Sequence, residues 1–130
     1  MRKVYIILIN IVIFNNSFGQ GKFDSLYLGQ LPPGNIPKVF NLAVNSGCFA
    51  AERIAISSDG KEIYYSELKD LNWDQYCVKY YSYSNGHWNE PYVLFENYMA
   101  PALSTKGNQL YIESYSKNKS SYYSMRKDAN

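Results

Sequence analysis

No run of eighteen or more apolar residues occurs in this 130-residue chain, so the sequence offers no ordinary membrane-spanning helix. One histidine and two cysteines are too few for a tetrahedral zinc site, which takes about four ligands. Eight glycines and five prolines, scattered rather than periodic, exclude collagen-like and low-complexity chains. Charge of one sign is also missing: 13 Lys+Arg stand against 11 Asp+Glu, spread singly, whereas a nucleic-acid binder gathers a basic surplus on one surface. There is no Gly-rich phosphate loop, no Gly-x-Ser-x-Gly elbow and no Cys/His nucleophile pair. What the chain has in quantity is tyrosine, 14 residues of it, within 46% hydrophobic and 17% aromatic composition. That excludes a disordered tail and points to one small, β-dominated domain.

The first nineteen residues read as an address. Arg2 and Lys3 make a basic start, Val4 to Phe14 is apolar apart from Asn10, and Ser17-Phe18-Gly19 spaces small residues before Gln20. This is the layout of a secretory signal peptide cleaved near Gly19, and the apolar run is shorter than the roughly 20 residues a span requires. No cysteine follows the run to accept a lipid. Removing 1–19 takes Arg2 and Lys3 and no acid, leaving eleven bases against eleven acids and a mature net charge of zero. The expected location is periplasmic or secreted, with no transmembrane span in the mature chain and no nucleic-acid partner. Lys117, Lys119, Arg126 and Lys127 form the one loose basic cluster, read as a solvated terminal hairpin.

Export would expose Cys48 and Cys77 to oxidising conditions, where they could form a disulfide or remain free thiols. A strand lies between the two elements that carry them, a separation of about 9 to 10 Å at sheet spacing, which favours free thiols unless a loop bends inward.

Residues 54–67, IAISSDGKEIYYSE, align with residues 101–114, PALSTKGNQLYIES, at an offset of 47. Ala55/Ala102, Ser57/Ser104, Gly60/Gly107 and Tyr64/Tyr111 are identical across the two copies. Each copy is a short apolar strand, a tight turn and a strand rich in β-formers, with Asp59-Gly60 supplying the positive φ that a hairpin turn demands. Between the copies, Tyr76 to Ser84 alternates as a strand, Asn85-Gly86 turns the chain, and His87 to Phe95 follows with Trp88, Val93 and Phe95 as apolar anchors. Four short strands in a period of 47 is the arithmetic of a β-propeller blade, and a β-sandwich is the competing architecture.

These residues also carry a family resemblance. Ser57, Asp59, Gly60 and Lys61, the strand Ile63-Tyr64-Tyr65, and Asn85, Gly86, Trp88 and Pro91 resemble the WD40-like (PD40) propeller repeats of the TolB kind. Ser58 stands where that pattern has proline, and Thr105-Lys106 replaces Pro-Asp in the second copy. The expected organisation is a signal peptide at 1–19 and a partial propeller over 20–130, with antiparallel four-stranded blades at about 52–98 and 99–130. A mature chain of 111 residues holds a little over two periods, whereas propellers close with about four to eight blades. The expectation is therefore a fragment, a truncated gene product, or a unit whose open blade edges are covered by self-association.

No catalytic constellation is evident and no cofactor is implied. His87 follows a turn and lacks an orienting carboxylate, and Asp59 is explained by its turn. Glu62 and Glu67 are five apart on one strand, hence on opposite faces, which is wrong for a glycosidase pair. Trp73, flanked by Asp70 and Asp74 in a loop from Leu68 to Gln75, is the one candidate ligand contact, suited to a sugar or a peptide. The resemblance implies an exported, noncatalytic module that binds protein partners or envelope components. The alternative is a truncated remnant or accessory propeller of a peptidase or carbohydrate-active enzyme.

Overall fold

A computed structural model describes residues 26–31, 34–69, 75–116 and 119–126. The signal-peptide assignment, residues 1–19, lies outside the described residues. The fold is all-β and antiparallel, with one short 3-10 turn at Tyr27–Gly29 as its only helical element among the described residues. The strands are β1 (Phe49–Ile56), β2 (Glu62–Leu68), β3 (Tyr76–Ser84), β4 (His87–Trp88), β5 (Tyr92–Glu96), β6 (Met99–Leu103), β7 (Gln109–Ser116) and β8 (Lys119–Arg126). They form two sheets, one ordered β1-β2-β3 with β4 and β5 both on the far side of β3, the other ordered β6-β7-β8.

The two copies of the sequence repeat fold alike. In the first turn Ser57 N–H donates to Glu62 O and Gly60 N–H to Ser57 O; in the second, Ser104 N–H donates to Gln109 O and Gly107 N–H to Ser104 O. Ser57 Oγ accepts from Glu62 N–H at 2.9 Å, and Ser104 Oγ from Gln109 N–H at 3.1 Å. Asp59 adds an acceptor for the Ser57 hydroxyl at 2.6 Å, and this bond lowers its carboxyl below the usual range. Gly60 and Gly107 both take positive φ, as the turns require. Ala55 opposes Tyr64, and Ala102 opposes Tyr111. Even the irregularities repeat: β1 is bulged between Ala51 and Ile54, with Glu52 at φ 65°, and β6 between Met99 and Ala102, with Ala100 at φ 52°.

The stretch expected as one fourth strand is divided. Asn89, Glu90 and Pro91 separate β4 from β5, because Pro91 has no N–H to give to a ladder. Asn89 instead turns back, its side-chain amide donating to Ser82 Oγ and Ser84 Oγ, both at 3.0 Å. Phe95 packs against the core as expected, while Val93 is exposed.

Side chains alternate along β2. Tyr64 joins Ala55 and Val78 against Leu110 and Ile112 of the other sheet, flanked by Tyr80, Leu94, Phe95, Tyr98 and Leu103. Leu68 and Tyr76 meet Met99 and Ala100 near one end. Two hydroxyls tie the sheets together: Ser66 Oγ accepts from Ala100 N–H at 2.8 Å, and Tyr76 Oη donates to Tyr115 O at 2.7 Å while accepting its N–H at 3.0 Å. On the opposite face of the first sheet, Ile63, Tyr65 and Tyr81 lie under Leu28, Phe40 and Leu42 of the segment that precedes β1. That segment is moored by Tyr65 Oη donating to Ala43 O and Ala43 N–H donating to Tyr81 Oη.

Candidate functional site

Three places on the molecule combine access with chemistry. The first is a cavity of about 410 Å³ lined by Asn45, Cys48, Glu67, Lys69, Cys77 and Glu96, among others. Its wall holds an ion pair in which Lys79 Nζ donates to Glu67 Oε2 at 2.6 Å, both side chains almost fully buried. Asn45 completes the carboxylate's partners, its N–H donating to Oε2 and its side-chain amide to Oε1, each at 2.8 Å. A carboxylate whose two oxygens are occupied by a cation and two amide donors suits a structural clamp. Glu62, on the opposite face as the spacing required, accepts from Tyr80 Oη at 3.0 Å. Burial, then the Glu62 charge, pushes the Tyr80 phenol up to about 12.

Cys48 and Cys77 both border this cavity as free thiols, with β2 between the elements that carry them. Burial above all, then the Glu67 charge, pushes the Cys77 thiol up, so it stays protonated and a poor nucleophile near neutrality. Among the described residues no three metal-ligating side chains converge.

The cavity rim carries both ends of the loop that holds the sequence-based candidate. Lys69 N–H donates to Gln75 O at 3.0 Å, and both residues line the cavity. Trp73 itself, with Asp70 and Asp74, lies outside the described residues. His87 is exposed, its ring Nδ1 3.3 Å from Asn85 O.

The second place is a shallow hollow of about 380 Å³ beside Tyr81, Trp88, Asn89 and Glu90, roofed by Gln30 and Asn41. Trp88 packs edge-on to Tyr81 and Tyr83 there, and its buried indole N–H has no hydrogen-bond partner.

The third is the outer face of the β6-β7-β8 sheet. Tyr111, Glu113 and Tyr115 alternate along β7, opposite Ser124, Tyr122 and Ser120 of β8. Tyr111, Tyr115 and Tyr122 are 43%, 41% and 77% exposed, although Tyr64, the counterpart of Tyr111 in the first sheet, is only 3% exposed. The tyrosine stripe of the sequence thus has two fates: Tyr64, Tyr65, Tyr80 and Tyr81 pack within and between sheets, whereas Tyr111, Tyr122 and Tyr123 reach solvent. Sequence reasoning missed the Glu67–Lys79–Asn45 cluster, whose members are 12 and 22 residues apart. The period-2 position of Glu67 and Lys79 on one sheet face was the available signal.

No family model matches this chain. Neither the curated proteins nor the solved structures contain a match to it.

Proposed function

We propose that the two sheets are successive blades of a propeller-type repeat, and that the chain is exported and works by binding a protein or envelope component rather than by catalysis. The observation that carries this reading is the contrast between the two sheets. The first buries Tyr64 against its neighbour; the second turns the same repeat position, Tyr111, to solvent with Tyr115 and Tyr122. Aromatic side chains of this kind, mixed with Ser120, Ser124 and Glu113, supply large contact area together with hydrogen-bonding groups, the combination found at interfaces. The locked state of Glu67 and the protonated state of Cys77 argue in the same direction, since neither group is poised for chemistry.

Two measurements test it. Expressed in a secreting bacterial host, the chain should be recovered with Gln20 as its N-terminus; retention of Met1 in the cytoplasm would overturn the export assignment. The chain with Tyr111→Ser and Tyr122→Ser should keep its fold and lose saturable binding to solubilised envelope fractions. Equal binding by both forms would remove the outer face from the function.

A further inference from the structure

We propose that copies of this chain join head to tail by strand pairing, the free edge of β8 in one copy taking the free edge of β5 in the next. This goes beyond the reading above and does not require export, since it concerns edges rather than the outer face.

Five strands end a sheet: β1, the two-residue β4, β5, β6 and β8. Exposed edges are templates for further pairing and are commonly blunted by bulges, prolines or charge. β1 and β6 are each bulged at a left-handed residue, and β6 also carries Pro101. β8 has neither bulge nor proline. All eight of its residues pair with β7 in unbroken register, it contains no proline, and it has no second partner among the described residues. The first sheet fills the corresponding place: β3, which lies beside β2 as β8 lies beside β7, is covered by β5. Among the described residues the second sheet therefore has no strand in the place that β5 fills in the first.

Charge selects the occupant. The ionic residues of β8 are Lys119 and Arg126, one at each end and both exposed. β5 is bracketed by Glu90 and Glu96, both exposed. Pairing β8 with another β8, or β5 with another β5, sets like charges against each other, which is destabilising across strands. Pairing β5 with β8 sets an acidic edge beside a basic one. The β5 edge is short: Pro91 closes one end, and the register slips at Leu94, where Phe95 and Val93 pair with Val78 and Lys79. The contact is accordingly limited to about five residues and is reversible. A contact between two different edges is heterologous, so it propagates as a ring or an open chain.

The test uses charge reversal in the full chain, at exposed positions, followed by sedimentation velocity. The native chain should show concentration-dependent association that weakens at high salt. Lys119→Glu with Arg126→Glu makes both edges acidic, and Glu90→Lys with Glu96→Lys makes both basic; each variant alone should associate at least tenfold more weakly. Mixed in equal amounts the two should associate again, and a chain carrying all four reversals should behave like the native one. A native chain that is monomeric at every concentration overturns the proposal. So does association unchanged by either reversal, or failure of the mixture to recover while both variants keep native circular dichroism.

Discussion

Tyr64 and Tyr111 occupy one position in successive hairpins, opposite Ala55 and Ala102, yet the first is 3% exposed and the second 43%. The difference lies in what covers them. Tyr64 packs on Leu110 and Ile112 of the following sheet, whereas Tyr111 has no following sheet among the described residues, its phenol donating to Gln109 Oε1 at 2.9 Å.

That contrast predicts unequal costs for the same substitution. Tyr64→Ala should destabilise by roughly 3 kcal/mol or more, the range for emptying an aromatic site in a packed core. Tyr111→Ala should cost less than about 1 kcal/mol, as at exposed positions generally. Urea unfolding of the two variants under one buffer checks the pair, and equal losses would mean that the outer face is covered in solution.

Lys79→Met leaves the Glu67 carboxylate buried without its cation and should cost about 3 to 5 kcal/mol. Adding Glu67→Leu to that variant should return much of the loss, since an apolar pair of similar volume can replace a buried ion pair. A double-mutant cycle read by chemical denaturation separates the two terms. Additive losses would show that the ion pair is not coupled.

Gly60→Val should disrupt the first hairpin for two independent reasons. Position 60 has φ +71°, and a Cβ there would lie 2.8 Å from Leu26 Cδ2. Gly107→Val meets only the backbone term, because nothing lies within 4 Å of a Cβ at that site. Thermal melts should therefore rank Gly60→Val as the more damaging of the two.

The raised thiol at Cys77 has a pH signature. Its folded-state value lies above the unfolded one, so its contribution to stability is complete below the ordinary thiol range of about 8.5 and fades as the pH climbs through the folded value. Alkylation of a Cys48→Ser chain by iodoacetamide should accelerate only at a pH higher than the same chain requires in denaturant. Coincident profiles would place Cys77 in water.

The hairpins were legible because their signals are local. Asp59-Gly60 and Asn85-Gly86 mark turns, and the alternation of Tyr76 to Ser84 marks a strand, each within a few residues. The opposite faces of Glu62 and Glu67 followed from spacing alone and hold in the fold. The break between β4 and β5 was less legible, since Trp88, Val93 and Phe95 suggest one continuous strand and the effect of Pro91 depends on which edge needs its missing donor. The cover over Ile63, Tyr65 and Tyr81 left no sequence signal at all. Leu28, Phe40 and Leu42 have no common period, and the phenol bonds to Ala43 come from residues 22 and 38 positions away.

That cover is a thin one. Between Leu31 and Val39 its described residues are exposed, with Leu31, Ile36 and Val39 at 81%, 75% and 85%, so it adheres to the sheet through a few apolar contacts and moorings at Ala43 and Asn45, while the Gln30–Asn41 pair only ties the segment to itself. Segments with so little buried surface open far below the global unfolding free energy. The amides of this cover should therefore exchange with solvent before those of β2 and β3. What emerges beneath it is a second aromatic surface, Tyr65, Tyr81 and Trp88, with the Glu67–Lys79 charges beside it.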